Sequence, residues 1–169
     1  MNTEHKSNTP ANIKDSWQTP INIFNELDKE FGFKCDVAAS SENALVPDCY
    51  LTIEDDALKQ DWKKSNWCNP NYSNIGPWIK KAIEQHNEGK TVVMLVPSDT
   101  SVKWFKSAFD RCNEVRFISG RISFINADTQ KPVNGNNKGS VLFIWRGYCK
   151  SHCVTLVDRS DYMTSGKTS

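Results

Sequence analysis

The hydrophobic and polar positions of the chain follow two periods in alternation, one typical of helices and one typical of buried strands. Two continuous apolar runs, Thr91–Val96 and Ser140–Trp145, have the composition of strands that are buried on both faces. Apolar residues at helical spacing cover 20–32 and 76–89. Helices that alternate with doubly buried strands predict an α/β fold in which a mostly parallel sheet is flanked by helices.

Capping residues set the expected ends of the first helix. Thr19 can act as its N-cap, Pro20 fits the first helical position, and Gly32 ends the apolar stripe. The same patterns predict further elements: a strand over Phe33–Ala39, a helix over Thr100–Asp110, and strands over 114–118, 122–125 and 153–157.

The length of 169 residues suits one domain with a core of its own. We expect a flexible N-terminal tail over 1–15, a single domain over 16–158 and a C-terminal tail over 159–169. The polar stretch 128–139 predicts a long loop, and loops of that length are often functional or disordered.

Composition narrows the class of protein. No run approaches the roughly 18–20 apolar residues of a membrane span, and the N-terminus lacks the apolar segment of a secretion signal, so we expect a cytoplasmic protein with no membrane partner. The six cysteines include no C-x-x-C pair and are expected to be reduced thiols. Cys149, His152 and Cys153 are the types that ligate zinc, but a second ligand pair at matching spacing is absent from the sequence, so no metal is predicted.

Charge is divided unevenly along the chain. Residues 1–62 contain 5 Lys and Arg against 12 Asp and Glu, whereas 63–169 contain 16 against 8. This asymmetry is one indication of a surface that faces a polyanion, although charges that solvate opposite ends of a sheet would give the same counts.

The stretch 67–73, Trp-Cys-Asn-Pro-Asn-Tyr-Ser, is the strongest candidate for chemistry. It follows a predicted strand, where sites of α/β sheets commonly lie. Asn69 Oδ1 and the Pro70 carbonyl can accept both N–H groups of an exocyclic amine, while Tyr72 stacks on the planar base that carries it. Accepting both hydrogens makes the nitrogen lone pair available to attack an activated methyl group. A simple turn with a packed tyrosine is the alternative interpretation.

Acidic residues earlier in the chain are candidates for ligand binding. Asp36 lies in the predicted strand Phe33–Ala39 and is followed by small residues such as Ala38, which lead into a turn and let a ligand approach the backbone. Asp55 or Asp56 could accept hydrogen bonds from a nucleoside, although consecutive acids are also typical of a solvated loop.

Several motifs in order resemble those of the phage-type DNA N6-adenine methyltransferases, the phage Dam family. The resemblance covers roughly 16–146, and the motifs that carry it are Trp17–Pro20, Phe31–Ala39, Asp55–Leu58, Trp67–Ser73, Val93–Pro97 and Gly120–Phe124. It implies a Rossmann-like methyltransferase fold that binds S-adenosylmethionine and releases S-adenosylhomocysteine.

The resemblance also implies roles for individual residues. Asn69, Pro70 and Tyr72 would hold an adenine flipped out of double-stranded DNA, since its amine cannot be reached within the stack. Methyl transfer would be direct and would need no metal. The cofactor-binding residues would be Trp17, Thr19, Pro20, Asp36, Ala38, Asp56 and Asn69.

One position departs from the family pattern. The family's loop is usually Asn/Asp-Pro-Pro-Tyr, whereas Asn71 stands in place of the second proline. We expect an active enzyme, because the acceptor carbonyl belongs to Pro70. A methyltransferase fold that binds DNA without turnover, and a methyltransferase for another planar amine such as an RNA base or a protein amide, are the alternatives.

DNA contacts are predicted from polar and basic residues after the loop. The candidates are Ser73, Lys103, Arg121, Asn136 and Lys138, with a structural ion pair as the alternative for Arg121. The chain has no room for a large recognition domain, so a short site is expected, with GATC as the family-level expectation. Both a monomer and a homodimer are compatible with the sequence.

Overall fold

A computed structural model describes residues 17–133 and 136–163 of the chain. The expected N-terminal tail over 1–15 therefore lies outside the described residues. The strands are β1 Trp17–Gln18, β2 Cys35–Asp36, β3 Ser65–Cys68, β4 Thr91–Pro97, β5 Glu114–Ser119, β6 Ile125–Asn126, β7 Ser140–Trp145 and β8 Cys153–Asp158; the helices are α1 Ile21–Phe31, α2 Gly76–Asn87 and α3 Lys103–Arg111, followed by a 3₁₀ helix at Arg159–Tyr162.

The main sheet has six strands in the order β2-β3-β4-β7-β5-β8. The pairs β2–β3, β3–β4 and β5–β8 are parallel, whereas β7 runs antiparallel to both β4 and β5. All strands except β7 therefore point the same way. This is the mostly parallel α/β architecture that the sequence predicted.

Two apolar layers cover the two faces of this sheet. Along β4, Val92, Met94 and Val96 pack in the layer under α2 and α3, while Val93 and Leu95 pack in the layer under α1. The side chains of β7 alternate in the same way. Because both faces of β4 and β7 are buried, their sequences are continuous apolar runs.

The start of α1 differs from the sequence prediction. Pro20 is the N-cap residue, no side-chain cap is present, and the buried Thr19 lies before the helix and does not cap it. The Pro20 carbonyl accepts hydrogen bonds from the backbone nitrogens of Ile23 and Phe24, so these two first-turn donors are bonded without a capping side chain. At the other end Gly32 adopts the predicted left-handed conformation, with φ of 56°.

The first residues of the described chain form a separate two-stranded sheet. β1 pairs antiparallel with β6, with Trp17 opposite Asn126. The strand predicted over 122–125 is therefore reduced to Ile125–Asn126 and lies outside the main sheet. The strand predicted over Phe33–Ala39 is also short, since only Cys35–Asp36 has regular pairing before the chain turns away.

Residues after Asp158, where the sequence predicted a tail, form the 3₁₀ helix, and Tyr162 in it is buried against the α1 side of the sheet. Residues 164–169 lie outside the described part. Among the described helices, none is long and apolar enough to cross a membrane.

The ends of the strands determine where loops meet. Pro97 at the end of β4 and Ile118 near the end of β5 both pair with Ser140 at the start of β7. The loop after β3 thus lies beside the end of β4, and the loops before β7 and after β5 continue the same edge. We call this the carboxyl edge of the sheet.

Candidate active site

The Asn-Pro loop leaves the carboxyl edge directly after β3, where the sequence predicted it. Pro70 is buried and Asn69 is half-buried. Asn69 Nδ2 donates a hydrogen bond of 3.3 Å to the backbone carbonyl of Trp17. A carbonyl can only accept, so this bond fixes the orientation of the amide and makes Oδ1 its remaining acceptor.

Tyr72 belongs to an aromatic cluster beside this amide. Its ring lies edge-to-face with Trp17 and with Phe124, at centroid distances of 6.5 Å and 6.0 Å. Trp17 and Phe124 stack on each other at 5.4 Å. The Tyr72 hydroxyl donates to the carbonyl of Leu95 at 3.4 Å, and burial raises the pKa of the phenol far above its usual value. Tyr72 is therefore a neutral, oriented aromatic ring.

A cleft of about 690 Å³ opens next to the loop. This volume is in the range of small-molecule sites. It is bounded by β1, the end of β2, the 38–58 segment and the Asn-Pro loop. Its lining includes these residues expected from the resemblance: Trp17, Thr19, Asp36, Ala38, Asp56, Asn69, Pro70 and Tyr72. Pro20, the N-cap residue of α1, is not part of the lining.

Unpaired polar atoms mark the wall of this cleft. Trp17 Nε1, Gln18 Oε1, Thr19 Oγ1 and Asn69 Oδ1 are shielded from solvent and have no hydrogen-bond partner among the described residues. All four residues line the cleft. Buried polar groups are nearly always satisfied, so a cluster of unsatisfied ones fits a site that a polar ligand completes. These donors and acceptors suit a molecule with amine and hydroxyl groups, as a nucleoside has.

Asp36 is the buried acid of the cleft. Its carboxylate accepts backbone hydrogen bonds from Leu45 at 3.0 Å and Ala38 at 3.4 Å. Burial nevertheless dominates and raises its pKa to about 6. The Asp36 carboxylate thus holds the loop that forms one cleft wall and carries an unneutralised charge near neutral pH.

The acidic stretch 55–56 divides into two roles. Asp55 accepts hydrogen bonds from the backbone and hydroxyl of Thr52, and these bonds close a local turn. Asp56 lines the cleft with a positive φ of 50°, a conformation that is strained for a residue with a side chain. Its carboxylate pairs with Lys59 at 2.7 Å. Of the two acids, only Asp56 lines the cleft.

The predicted DNA-binding residues lie along the carboxyl edge and not in the cleft. Arg121 donates to the Asn136 carbonyl at 3.3 Å, and the Lys138 backbone donates to Asn136 Oδ1 at 3.3 Å, so these three are brought together. Lys103 is exposed at the start of α3, and Ser73 is exposed in the Asn-Pro loop. The part of the expected loop at 134–135 lies outside the described residues.

Lys138 is not a free cation. Its ammonium pairs with Asp99 at 2.8 Å, and the hydrogen bond from Lys138 is the main reason that the pKa of Asp99 falls to about 2. Among the described residues, the Arg121 guanidinium donates to a backbone carbonyl and forms no ion pair, so the structural ion pair considered for it is absent there.

Sequence patterns missed three residues at this edge. Phe124 completes the aromatic cluster, Gln18 contributes an unpaired oxygen, and the Arg159 guanidinium donates to the Arg121 carbonyl at 2.5 Å. The motif blocks included Gln18 and Phe124 without a role. Arg159 carried no local signal, because the prediction ended the domain at residue 158.

The cysteines add no chemistry to the site. All six are free thiols, and burial raises the pKa of Cys68, which directly precedes Asn69, well above its usual value. Within 17–133 and 136–163, no group of three or more His, Cys, Asp and Glu side chains could hold a metal.

Comparison with known proteins supports the resemblance seen in the sequence. The family model described as DNA N-6-adenine-methyltransferase (Dam) matches residues 6–169. A protein named DNA N-6-adenine-methyltransferase from Haemophilus phage HP1 is 37% identical over 163 residues, covering 89% of this chain and 92% of the phage protein. One with the same name from Escherichia phage T1 is 38% identical over 158 residues, covering 83% of this chain and 66% of the phage protein.

A shorter match is a putative methyltransferase, YfdM, of Escherichia coli strain K12, 36% identical over 83 residues, or 42% of this chain and 86% of that protein. The chain belongs to the DNA N-6-adenine-methyltransferase (Dam) family, and the prediction of that family is confirmed.

Proposed function

We propose that this member of the family transfers a methyl group from S-adenosylmethionine to N6 of an adenine flipped out of duplex DNA. The observation that carries the proposal is the orientation of Asn69, whose Nδ2 is committed to the Trp17 carbonyl and whose Oδ1 is an unpaired acceptor. An oxygen acceptor at this position suits an exocyclic amine and disfavours a carbonyl or a carboxylate.

The chain's own residues prepare the amine. Asn69 Oδ1 and the Pro70 carbonyl accept its two N–H bonds, which turns the nitrogen lone pair away from the ring, and Tyr72 positions the base. Because Oδ1 is shielded from solvent, side chains beside it have to move before the adenine amine can reach it. A neutral amide and a neutral phenol make positioning and desolvation the main contributions, with no strong base at this loop.

The cleft next to the loop fits the cofactor. Its unpaired polar atoms and its volume suit an adenosyl amino acid, and we assign its binding to Trp17, Thr19, Asp36, Ala38, Asp56 and Asn69. When bound, S-adenosylmethionine supplies an electrophilic methyl group on a sulfonium. That methyl group would pass to the N6 nitrogen held by Asn69 and Pro70, the cofactor would be left as S-adenosylhomocysteine, and N6 would release one proton to solvent.

The substrate and its site are also part of the proposal. We assign double-stranded DNA as the substrate, with a short recognition sequence such as GATC, and the bacterial host cytoplasm as the place of action. The basic residues at the carboxyl edge support this, since phosphate contacts of Lys and Arg supply much of DNA affinity.

Tritium transfer from labelled S-adenosylmethionine to unmethylated duplex DNA tests the proposal. We expect label at adenine N6 with wild type and a loss of at least about 100-fold for Asn69→Ala and for Tyr72→Ala. Asn25→Ala, on an exposed position of α1, is the matched control. Wild type that binds cofactor and transfers nothing to DNA would favour the non-catalytic binding protein, and transfer to RNA or protein alone would favour another amine.

A further inference from the structure

The two edges of the main sheet are protected to different degrees. At one edge, β2 is only two residues long, and Tyr50 of the following loop forms a parallel bridge with Asp36 there. At the other edge, β8 has six residues, none of them buried, with exposed fractions of 47% at Val154 and 72% at Leu156. Exposed edge strands of this length are usually blocked by charge, proline or a covering segment.

The composition of β8 favours pairing with a further strand. Cys153–Asp158 reads Cys-Val-Thr-Leu-Val-Asp, with β-branched residues, no proline and one charge at its end. Its inner side pairs in parallel with β5, placing Val154 next to Val115 and Leu156 next to Phe117. Its outer side leaves backbone donors and acceptors without a partner strand among the described residues.

One face of β8 is complementary to itself. Alternation of side chains puts His152, Val154, Leu156 and Asp158 on the same face, in the order base, apolar, apolar, acid. The His152 ring is held in place by an edge contact with Phe109 at 5.3 Å and by the Cys112 carbonyl at 2.9 Å from Nδ1. The Asp158 carboxylate caps the following 3₁₀ helix, accepting hydrogen bonds from the backbone and hydroxyl of Ser160, and it lies exposed at the end of this face.

We propose that β8 is the docking surface for a second copy of this chain, paired antiparallel about a two-fold axis through Thr155. In this register Val154 lies opposite Leu156 of the partner subunit, and His152 lies opposite Asp158 of the partner subunit, each pair occurring twice. Thr155 faces Thr155 of the partner subunit, a favourable cross-strand pair. A register shifted by one residue would place each apolar side chain on the wrong face.

This pairing has a consequence for the catalytic loops. Antiparallel β8 strands point the two carboxyl edges in opposite directions, so the two Asn-Pro loops lie on opposite sides of one continuous sheet. A single duplex cannot reach both. The dimer therefore links two separate DNA segments and does not read the two halves of one palindrome, and each subunit works independently of the other. The proposal does not depend on the methyl-transfer activity.

A single strand pair buries less than the roughly 1,200 Å² of stable specific interfaces, so we expect a weak dimer. Sedimentation velocity of the full chain from about 5 to about 500 µM should show the weight-average mass rising toward twice the monomer mass, a range that suits a dissociation constant in the micromolar region. Leu156→Lys should remain monomeric throughout. A wild type that is monomeric at all concentrations would overturn the proposal.

A charge-pair design tests the register while leaving the fold of the edge strand unchanged. Val154→Lys with Leu156→Glu places Lys opposite Glu of the partner subunit twice and should restore the dimer, weakening in high salt. Val154→Lys with Leu156→Lys is the matched control and should stay monomeric. Equal behaviour of the two double variants would refute the pairing of 154 with 156.

Cross-linking gives an independent measure. In a Cys149→Ser, Cys153→Ser background, Thr155→Cys should form a disulfide-linked dimer rapidly under mild oxidation. Leu156→Cys should be much slower, because its symmetry mate lies on a diagonal about 7–8 Å away, too far for a disulfide. Comparable rates for the two variants would show that another surface associates.

Discussion

The Oδ1 atom of Asn71 accepts two hydrogen bonds from Ser73, one from the backbone nitrogen at 2.8 Å and one from the hydroxyl at 2.6 Å. This turn lies in the Asn-Pro loop at the position where the family pattern has a second proline. A proline would restrict the backbone through its ring, whereas Asn71 restricts it through its side chain. The departure from the pattern thus replaces one constraint on the loop with another.

Asn71→Ala tests this constraint. Losing two exposed hydrogen bonds should destabilise the ordered conformation of the loop by about 0.5–1.4 kcal/mol. This corresponds to a roughly 2–10-fold fall in the methyl-transfer rate. The midpoint of urea unfolding should hardly change, because the residue is exposed. Asn71→Pro should retain most of the activity, since proline restores a backbone restriction.

The control for the loop is Asn74→Ala, an exposed asparagine three residues further on. Equal losses for Asn74→Ala and Asn71→Ala would contradict a specific role of the Asn71 turn.

The buried Asp36 predicts a pH dependence of stability. Its pKa of about 6 in the folded protein is above the value near 3.9 in an unfolded chain, so the folded state retains the proton to higher pH. Its contribution to stability is therefore complete below pH 4, falls as the pH rises to about 6 and is level above that. The expected loss is of the order of 2–3 kcal/mol.

Urea unfolding of wild type and Asp36→Asn between pH 4 and 7.5 measures this contribution. As the pH rises through this window, the unfolding free energy of wild type should fall relative to that of Asp36→Asn. Asp48→Asn, in the neighbouring exposed loop, is the control. A difference that is constant with pH would mean that Asp36 titrates as in an unfolded chain.

The pair of Asp99 and Lys138 predicts a limit on DNA affinity. Asp99 neutralises a lysine at the carboxyl edge, so Asp99→Asn should strengthen DNA binding several-fold at low salt. Lys138→Gln should weaken binding and lower the salt slope of the binding constant by less than one, because Asp99 already neutralises part of the lysine's charge. Fluorescence anisotropy with a labelled duplex at several salt concentrations provides the measurement.

A second lysine–aspartate pair serves as the control. Lys106 and Asp110 form an ion pair along the exposed side of α3. Asp110→Asn should change DNA affinity much less than Asp99→Asn. Equal effects would mean that total charge, and not the position at the carboxyl edge, determines binding.

Arg116 forms ion pairs whose loss should destabilise the domain. Its guanidinium donates to both oxygens of Glu30 at 2.7 Å and to Glu114 at 2.5 Å, which connects α1 to β5. This hydrogen bonding lowers the pKa of Glu30. Arg116→Lys keeps the charge and loses the planar geometry, so we expect a loss of about 1–2 kcal/mol in unfolding free energy.

Chemical denaturation of Arg116→Lys and of Arg111→Lys provides the comparison. Arg111 is exposed at the end of α3, and its substitution should be nearly neutral. Because Glu30 has a lowered pKa when folded, the stabilisation from this pair should be present above pH 5 and be lost as the pH falls. An unchanged stability of Arg116→Lys would show that the bidentate geometry contributes little.

Local patterns determined most of the elements of this protein. The apolar runs of β4 and β7 predicted buried strands because both faces of the sheet are covered, and the helical spacing predicted α2 within a few residues. The motif around Asn69 predicted a loop at the end of a strand, and β3 ends at Cys68. Each of these depends on propensity and burial within a short segment, which the sequence contains.

Only the tertiary structure decided what the loop contacts. Trp17 reaches Asn69 because β1 pairs with β6 across more than a hundred residues, and the same pairing brings in Phe124. The partner that neutralises Lys138 and the placement of Arg159 beside Arg121 depend on the order of β4, β7, β5 and β8. Sheet order results from the packing of the whole chain, and no local segment specifies it.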